Sequence, residues 1–255
     1  MDFTCERLML GKFSALTENE HLARYRFATQ LVEGRQVADI ACGTGYGTQM
    51  LAEAGAKSVL GIDISADAVA FSRQRFSAPN VSYIVSNAQD LTAISDNQFE
   101  IVVSFETIEH LPDVEAYLDE MARILRPGGA FLVSTPDRRI ASVTHCFLGH
   151  PQNPYHVREY TERELLELLS TRFQIKACYG QGFVQSWLVF WPLQFFIKAF
   201  CRILGTGRAS RFRDNLYSNG GSVDVTLKTS RSRIAKFWVI SCVRPERVRG
   251  RTMAG

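Results

Sequence analysis

An acidic residue and three glycines lie close together in the segment Val37-Ala-Asp-Ile-Ala-Cys-Gly-Thr-Gly-Tyr-Gly-Thr48. The apolar run before Asp39 predicts a buried strand, and the glycines predict a turn in which missing Cβ atoms let a ligand approach the backbone. A second acid, Asp63, ends the next apolar run. A carboxylate at that position can accept hydrogen bonds from both hydroxyls of a ribose, so the pattern indicates a cofactor that carries adenosine.

Two features separate this loop from other nucleotide loops. A dinucleotide site favours G-x-G-x-x-G, whereas the glycines here are Gly43, Gly45 and Gly47, and Thr48 occupies the last position of that pattern. The lysine of a Walker loop is absent directly after the turn, which argues against phosphate binding of that kind. A nicotinamide dinucleotide is therefore disfavoured.

Apolar runs alternate with helical patterns along most of the chain. Strands are predicted over about 36–42, 57–63, 81–85, 99–104, 130–134, 173–179 and 234–243. Helices are predicted over about 20–28, 46–54, 65–78 and 113–125, with a further one after Thr161. The segment Arg126-Pro-Gly-Gly129 is a stop signal after the fourth helix, and Thr161 with Glu164 forms a capping box.

This alternation predicts an α/β fold with a doubly wound, mostly parallel sheet of seven strands. In such a sheet a ligand binds beyond the carboxyl ends of the strands, where the strand order reverses. The glycine turn and Asp63 both follow strands that end at this edge.

Four motifs, in this order, resemble those of the class I S-adenosylmethionine-dependent methyltransferases. They are Asp39-Ile-Ala-Cys-Gly-Thr-Gly-Tyr-Gly, Gly61-Ile-Asp-Ile-Ser, Ser86-Asn-Ala-Gln-Asp90 and Ile124-Leu-Arg-Pro-Gly-Gly. The resemblance covers about residues 20–180, and four ordered motifs are far more specific than a glycine loop alone. It implies a Rossmann-like methyltransferase fold with S-adenosylmethionine as the cofactor.

The resemblance also implies a role for each matching position. Asp39 and the backbone of 41–45 would hold the methionine end, Asp63 the ribose, and Ile64 one face of the adenine. The family often has an acid where Asn87 stands; an amide oxygen can also accept the adenine amino group, although an isolated Asn would predict only a turn. The expected cofactor-binding residues are Asp39, Ala41, Gly43, Gly45, Tyr46, Asp63, Ile64, Asn87, Ala88, Gln89 and Phe105.

Three further segments are similar to a bacterial subgroup of these enzymes, which is associated with glycan or glycolipid assembly and resembles small-molecule O-methyltransferases. They are Glu20-His-Leu-Ala-Arg-Tyr, Ser104-Phe-Glu-Thr-Ile-Glu-His-Leu and Asn153-Pro-Tyr-His-Val-Arg-Glu-Tyr. The likeness implies a small-molecule, sugar or lipid-linked acceptor.

Methyl transfer to a hydroxyl needs a group that accepts the hydroxyl proton, and a histidine suits this role near neutral pH. His110, just past strand four, and His156, in the loop after strand five, are the candidates expected at the acceptor. Glu109 and its neighbour Glu106 are expected to orient a base or bind acceptor hydroxyls, or Glu109 could cap the following helix. A surface or structural role stays open for each histidine. The others are His21, His145 and His150.

The chain is predicted to be a single methyltransferase domain over 1–255, with a helical cap over 1–35 and an aromatic helical insertion over 183–230 between the last two strands. Within the insertion, 183–204 predicts an apolar helix with one polar stripe. An internal proline and two cations disfavour a membrane-spanning helix. Three interpretations stay open: a lid or homodimer contact, a wall for an apolar acceptor, or peripheral membrane contact through 183–204.

Composition narrows the partners and the location. The net charge of +3 is too small to indicate a nucleic acid. The six cysteines are scattered without a C-x-x-C pair, so neither a disulfide framework nor a metal site is expected. Charged residues within 1–12 argue against a secretory signal. A cytoplasmic protein is expected, with a position at the inner membrane face left open.

The favoured function is S-adenosylmethionine-dependent methylation of a hydroxyl. A rival function is that of a nicotinamide-dependent oxidoreductase, which Thr48 and the absence of a Tyr-x-x-x-Lys pair disfavour. Another is that of a non-catalytic module that keeps the fold and binds S-adenosylmethionine.

Overall fold

Strands and helices alternate along the first half of the chain in the structure, a computed structural model that describes residues 9, 11, 13–141, 151, 153–185, 224–227 and 233–246. The helices are α1 (Ala15–Thr29), α2 (Tyr46–Glu53), α3 (Ala66–Arg75), α4 (Val114–Ile124), α5 (Arg138–Ala141) and α6 (Glu162–Leu169). The strands are β1 (Gln36–Ile40), β2 (Ser58–Asp63), β3 (Val81–Val85), β4 (Phe99–Phe105), β5 (Leu125–Pro136), β6 (Gln174–Gln185), β7 (Thr226–Leu227) and β8 (Arg233–Val243). A 3-10 turn, Ile108–His110, follows β4.

The strands form one mixed sheet in the order β3-β2-β1-β4-β5-β8-β6-β7. Strands β1 to β5 are parallel, whereas β8 runs antiparallel to both β5 and β6. The α/β class and the doubly wound sheet are therefore confirmed. The count of seven is wrong by one strand within the described residues, because β7 pairs with Tyr179 and Gly180 of β6. A strand of two residues is too short to show a period in the sequence.

Side-chain caps set the helix ends. The predicted cap of α3 is present, since Ser65 Oγ accepts from the Ala68 N–H, and so is the capping box of Thr161 and Glu164. Helix α1 begins earlier than predicted because Ser14 caps it. Asp113 caps α4 through a bond from the Ala116 N–H, so Glu109 does not have this role.

The predicted stop after α4 is a strand rather than a loop. Strand β5 already begins at Leu125 and includes Gly128 and Gly129, and its pairing with β4 shifts register between Phe99 and Ile101. A Cβ on Gly129 would lie 2.9 Å from the Arg126 carbonyl oxygen. The glycines thus permit a tight irregular strand, which local sequence cannot distinguish from a turn.

The predicted insertion over 183–230 needs new limits. Strand β6 continues to Gln185, where it pairs with Arg233, and β7 also lies inside the predicted range. The rest of the proposed aromatic helix, 186–204, lies outside the described residues. No helix among the described ranges is long and apolar enough to cross a membrane.

Helices cover both faces of the sheet. Tyr25 and Ala28 of α1 pack with Leu51 of α2 on one face, whereas α4 and α6 contribute to the larger core cluster on the other. Because β2 and β3 extend from one side of β1 and β5 extends from the far side of β4, the strand order reverses between β1 and β4. Their carboxyl ends meet at the Ile40 and Ser104 pair, which places the following loops around one crevice.

Candidate active site

A cavity of about 350 Å³ opens at the carboxyl ends of β1, β2 and β4. Its volume is suitable for a small-molecule site, and its position is the one expected for a ligand of a doubly wound sheet. The lining residues are His21, Tyr25, Ala41, Cys42, Gly43, Thr44, Tyr46, Ile62, Asp63, Ile64, Ser86, Asn87, Ala88, Phe105, Glu106, Thr107, His110, Leu111 and Tyr155.

The glycine loop between β1 and α2 is held in a left-handed conformation. Gly43 has φ of 56°, Gly45 has φ of 84°, and the non-glycine Ala41 has φ of 56°. A Cβ on Gly45 would lie 2.6 Å from Ser72 Oγ. The Gly43 N–H donates to Asp63 Oδ2 at 2.9 Å, so the loop is tied to the acid at the end of β2. Glycine is needed here both for the backbone angle and for close packing.

Asp39 lies behind the loop and does not line the cavity. It is fully buried, and its oxygens accept from Tyr25 Oη at 3.0 Å and Thr48 Oγ1 at 2.6 Å. Burial raises the pKa of Asp39 to about 7. Asp39 therefore supports the loop from behind the cavity wall through Tyr25 and Thr48, and its contact with the methionine end stays a prediction. Thr48, which departs from the dinucleotide pattern, is one of its partners.

Tyr25 was missed by the sequence reasoning, although it joins α1 to the loop. A Cβ on Gly47 would lie 2.0 Å from the Tyr25 ring. The same ring makes edge contacts with Tyr46 and Phe105, with centroids 5.5 and 5.2 Å apart. The third glycine of the loop was the available signal, because it indicates a close approach that only glycine allows.

Asp63, the last residue of β2, and Ile64, the residue after it, have complementary environments. Asp63 is only 5% exposed, and its second oxygen accepts from the Ser65 N–H at 2.9 Å. Ile64 is 64% exposed and lines the cavity. The exposed apolar side chain of Ile64 suits contact with a purine ring, and the buried carboxyl group of Asp63 beside it suits hydrogen bonds from a ribose.

The segment after β3 contains three of the predicted cofactor-binding residues, and two of them line the cavity. Asn87 and Ala88 line the cavity, and Asn87 Oδ1 accepts from the Gln89 N–H at 3.0 Å, so Asn87 is both a turn residue and a wall residue. Gln89 does not line the cavity. Its Oε1 accepts from the Asp113 N–H at 2.7 Å, which fixes the start of α4 instead.

His21 lines the cavity near Tyr46, with its Nδ1 3.3 Å from Tyr46 Oη. Burial, followed by the charges of Arg24 and Lys236, lowers the pKa of His21 to about 2. An imidazole with so low a pKa is a poor proton acceptor, so His21 is a wall residue rather than a base. The other weak candidates, His145 and His150, lie outside the described residues.

His110 lies on the cavity wall at the end of the 3-10 turn. Its Nδ1 is 3.1 Å from the Tyr155 carbonyl oxygen. A carbonyl can only accept, so the hydrogen-bond partner assigns the proton of the neutral ring to Nδ1. The lone pair is then on Nε2, which is the atom able to take a proton from an acceptor.

His156 lies behind His110 and does not line the cavity. The two rings meet edge to face with centroids 4.9 Å apart. On the other side, His156 Nδ1 is 2.7 Å from Glu159 Oε1. The sequence reasoning placed both histidines near the acceptor but missed Glu159, whose position in the motif Asn153–Tyr160 was the only signal.

Glu109 is buried beneath the cavity, where its Oε2 accepts from Thr135 Oγ1 at 2.9 Å. Burial, and then the nearby Glu106, raise the pKa of Glu109 well above its ordinary value. Its backbone carbonyl accepts from the Val157 and Arg158 N–H groups at 2.8 and 3.1 Å. Glu109 therefore anchors the loop that carries His156.

The groups of Glu109, His110 and His156 also suit a metal ion by their spacing. Each offers a ligand atom within 4.8 Å of those of the other two. Histidine and carboxylate are common ligands of zinc and iron. The sequence-based expectation of no metal stays a prediction that metal analysis must test.

The fold, the glycine loop, the buried ribose acid and the exposed apolar residue beside it define the class I S-adenosylmethionine-dependent methyltransferases. Residues 38–133 match the family model described as "Methyltransferase domain", and this part of the chain is a methyltransferase domain of that class, whose cofactor is S-adenosylmethionine.

Curated relatives are similar over the same region. A Mycolicibacterium smegmatis protein named "Probable S-adenosylmethionine-dependent methyltransferase" is 38% identical over 161 residues, which are 63% of this chain and 60% of that protein. A fatty-acid O-methyltransferase of the same species is 34% identical over 125 residues, 46% of this chain and 45% of that protein. The chain thus matches less than two thirds of the length of either relative.

Solved structures support the fold over most of the chain. A Thermotoga maritima protein described as a SAM-dependent methyltransferase aligns with a TM-score of 0.62 and 18% identity, over 90% of this chain and 91% of that one. At this identity the likeness concerns the fold alone.

Proposed function

We propose that the protein is an S-adenosylmethionine-dependent methyltransferase that methylates a hydroxyl of a small-molecule, sugar or lipid-linked acceptor, with His110 as the general base. The observation that carries this proposal is the position of His110 on the cavity wall, with its Nδ1 3.1 Å from the Tyr155 carbonyl oxygen. Since a carbonyl only accepts, this contact assigns the ring proton to Nδ1 and the lone pair to Nε2. A positioned histidine of this kind is a common general base.

The cavity, with a volume of about 350 Å³, suits the cofactor in its size and in the groups that line it. The backbone at Ala41 and Gly43 would hold the methionine end, and the carboxylate of Asp63 would accept from the ribose hydroxyls. The exposed side chain of Ile64 would cover one face of the adenine, with Asn87 and Ala88 at its edge. When bound, the cofactor supplies a methyl group that its sulfonium already makes electrophilic.

The protein's own part in the reaction is orientation and proton removal. The walls hold the acceptor oxygen in line with the methyl group and keep water away, which can supply most of the rate. His110 Nε2 takes the hydroxyl proton as the new O–C bond forms, and the electron pair of the S–C bond stays on sulfur. The proton then leaves His110 for solvent.

A carboxylate acceptor is the rival within this class, since one relative is named a fatty-acid O-methyltransferase. A carboxylate is already ionised at neutral pH and needs no base. The position of His110 as the proposed base therefore supports a hydroxyl, rather than a carboxylate, as the methyl acceptor. The exposed Tyr155 and Val157 beside His156 favour an acceptor that is at least partly apolar.

A nicotinamide-dependent oxidoreductase and a non-catalytic binding module both have less support. For a nicotinamide cofactor, the position of the third glycine carries Thr48, whose hydroxyl is already bonded to Asp39. For a non-catalytic module, a base with a defined tautomer at the cavity wall would have no purpose. Substitutions of the base and of the ribose acid separate these cases.

The test measures cofactor affinity by calorimetry and release of S-adenosylhomocysteine over a panel of phenol, sugar and fatty-acid acceptors. Asp63→Ala should weaken cofactor binding by about ten- to a hundredfold, the cost of one or two charge-assisted hydrogen bonds. His110→Ala and, to a smaller extent, His156→Ala should lower turnover of a hydroxyl acceptor and leave cofactor binding nearly unchanged.

A matched control is Asp67→Ala, an exposed acid in the first turn of α3, which should behave like the unaltered protein. Turnover that is high only with a fatty acid, and insensitive to His110→Ala, would favour the carboxylate acceptor. Unchanged cofactor affinity in Asp63→Ala would remove Asp63 from the site.

The organisation of the whole chain is also a proposal. It comprises one domain over 1–255, an N-terminal helical cap over 1–35, and an insertion that lies between β6 and β8. The insertion would serve as a lid, a homodimer contact, a wall for an apolar acceptor or a peripheral membrane contact through 186–204, the part of the predicted helix that follows β6. The protein would be cytoplasmic, and the membrane contact would place it at the inner membrane face. Its apolar sequence with a polar stripe supports these roles.

A further inference from the structure

We infer that Glu159 is a positioning residue for the proposed methyl transfer. It holds His156, and His156 holds the His110 ring in the orientation that presents Nε2 to the acceptor. The inference rests on the proposed function, in which His110 is the base.

The first link joins Glu159 to His156. Glu159 Oε1 lies 2.7 Å from His156 Nδ1, and the two side chains are only 1% and 10% exposed. Among the described residues, Glu159 Oε2 has no hydrogen-bond partner. Burying a carboxyl group with so few partners costs free energy. The contact with His156 is the interaction that offsets this cost.

This link also sets the tautomer of His156. A carboxylate only accepts, so the imidazole proton of a neutral ring is drawn to Nδ1 and the lone pair is left on Nε2. Histidine rings in functional sites are commonly oriented in this way by a carboxylate on the far nitrogen.

The second link joins His156 to His110. The rings meet at an interplanar angle of 79° with centroids 4.9 Å apart. The Tyr155 carbonyl holds His110 through Nδ1, while the edge contact with His156 limits rotation of the ring. The His156 ring, polarised by Glu159, therefore lies in contact with the ring that gains a positive charge when the acceptor loses its proton.

The backbone around these residues is fixed without Glu159. The N–H groups of Val157 and Arg158 donate to the Glu109 carbonyl, and the His156 N–H donates to the Asn153 carbonyl at 3.1 Å. At the end of the segment, Tyr160 forms a bridge with Asp137. A substitution at Glu159 should therefore release the histidine side chains without moving the loop.

The other charged groups near the pair do not duplicate Glu159. Glu109 lies on the 3-10 turn with its carboxyl bonded to Thr135, and Glu106 lies after β4 with its carboxyl bonded to Ser134. On the loop itself, Arg158 stacks over the Tyr160 ring, 5.2 Å from its centroid. Glu159 lies within hydrogen-bond distance of His156 Nδ1, at 2.7 Å, whereas Glu109 offers a ligand atom within 4.8 Å of those of both histidines.

The test uses the full chain with ¹⁵N-labelled histidine, saturated with S-adenosylhomocysteine. Long-range proton–nitrogen spectra report the tautomer of each histidine, and they require no acceptor. In Glu159→Gln, the signals of His156 should change to a mixture of tautomers and those of His110 should shift as its ring loses the contact with an ordered His156, whereas those of His21 stay as they are. Glu120→Gln is the matched control: it removes a partly buried carboxyl from an ion pair with Arg123 away from the cavity, and it should leave the spectra unchanged.

Kinetics provide the second readout. With a hydroxyl acceptor, Glu159→Gln should lower kcat by about ten- to a hundredfold, less than the full contribution of a general base, with KM for S-adenosylmethionine unchanged. His156→Gln should have a similar effect, and the double variant should be no worse than either single one, because the two residues act as a unit.

Three results would overturn the inference. The first is an active Glu159→Gln variant with unaltered histidine spectra, and the second is additive losses in the double variant. The third is loss of wild-type activity and tautomer order on chelation, which would mean that a metal ion orients the rings. If the wild-type chain turns over no hydroxyl acceptor, the proposed function fails, while the spectra still decide the role of Glu159.

Discussion

Asp39 is a carboxyl group enclosed by protein on all sides, and its environment makes the stability of the fold sensitive to pH. Its two hydrogen-bond partners favour the ionised form, but burial outweighs them and raises its pKa to about 7. The folded chain therefore keeps a proton on Asp39 in a range of pH where the unfolded chain has lost it.

The expected consequence is a loss of stability as the pH rises between the ordinary value of 3.8 and about 7. In this range the folded state binds more protons than the unfolded state, so the free energy of unfolding falls with increasing pH. Asp39→Asn removes the effect. Urea unfolding at about pH 5 and about pH 8 should show a smaller decline for Asp39→Asn than for the unaltered chain.

The comparison must be between the two proteins, because Glu109 also has a raised pKa and contributes a decline of the same sign in both. An identical decline in both proteins would mean that Asp39 does not retain its proton.

At the scale of single residues, those expected to contact the ligand were easier to predict than those that hold them in position. Asp63 and the glycines could be recognised because their residue types at that spacing have few other uses. Tyr25 and Thr48 could not, since a tyrosine on a helix and a threonine after a turn are common, and only the fold brings both to Asp39. Glu159 was missed for the same reason.

The contact between α1 and α2 is the element on which the shape of the cavity depends. The Tyr25 ring occupies the space beside Gly47 that a side chain would otherwise fill, and it reaches Asp39 below and Phe105 beyond. Because Gly47 has no side chain, α1 can pack closely against the glycine loop between β1 and α2.

Gly47→Ala should destabilise the fold by about 1–3 kcal/mol, the usual cost of inserting a methyl group into a packed contact. It should also weaken cofactor binding, because Tyr25 lines the cavity and must move. Urea unfolding and calorimetry measure the two effects. Glu53→Ala, on the exposed part of the same helix, is the control.

A Gly47→Ala variant with unchanged stability and affinity would mean that α1 does not pack against α2 as described. Weaker binding without a loss of stability would instead place the effect in the loop alone.

Helices and parallel strands were predictable because their periods extend over several residues and their caps have specific side chains, as at Ser65 and Thr161. The start of β5 was not predictable, because Gly128 and Gly129 are compatible both with a turn and with an irregular strand. The length of β6 depends on its pairing with β8, which a local pattern does not contain.

At the scale of the molecule, the described cavity lining and the insertion come from different parts of the sequence. Among the described residues, those that line the cavity lie between 21 and 155, whereas 186–223 follows β6 in the chain and lies outside the described residues. Replacing 186–223 by a short flexible linker should leave cofactor affinity nearly unchanged by calorimetry.

The same shortened chain tests the membrane proposal. In flotation with vesicles that contain anionic lipid, the full chain should float and the shortened chain should remain at the bottom, because the apolar segment predicted to bind the membrane is removed. Equal flotation of both chains would contradict membrane contact through 183–204.

The order of the sheet has a consequence for synthesis. Strand β8 is the last of the described strands along the chain, yet it lies between β5 and β6 in the sheet. Chains that have reached only β6 must keep one edge of β5 and both edges of β6 unpaired, and such edges recruit other strands. We expect the nascent chain to need shielding until Val243 has emerged, long after every residue that lines the cavity has been made.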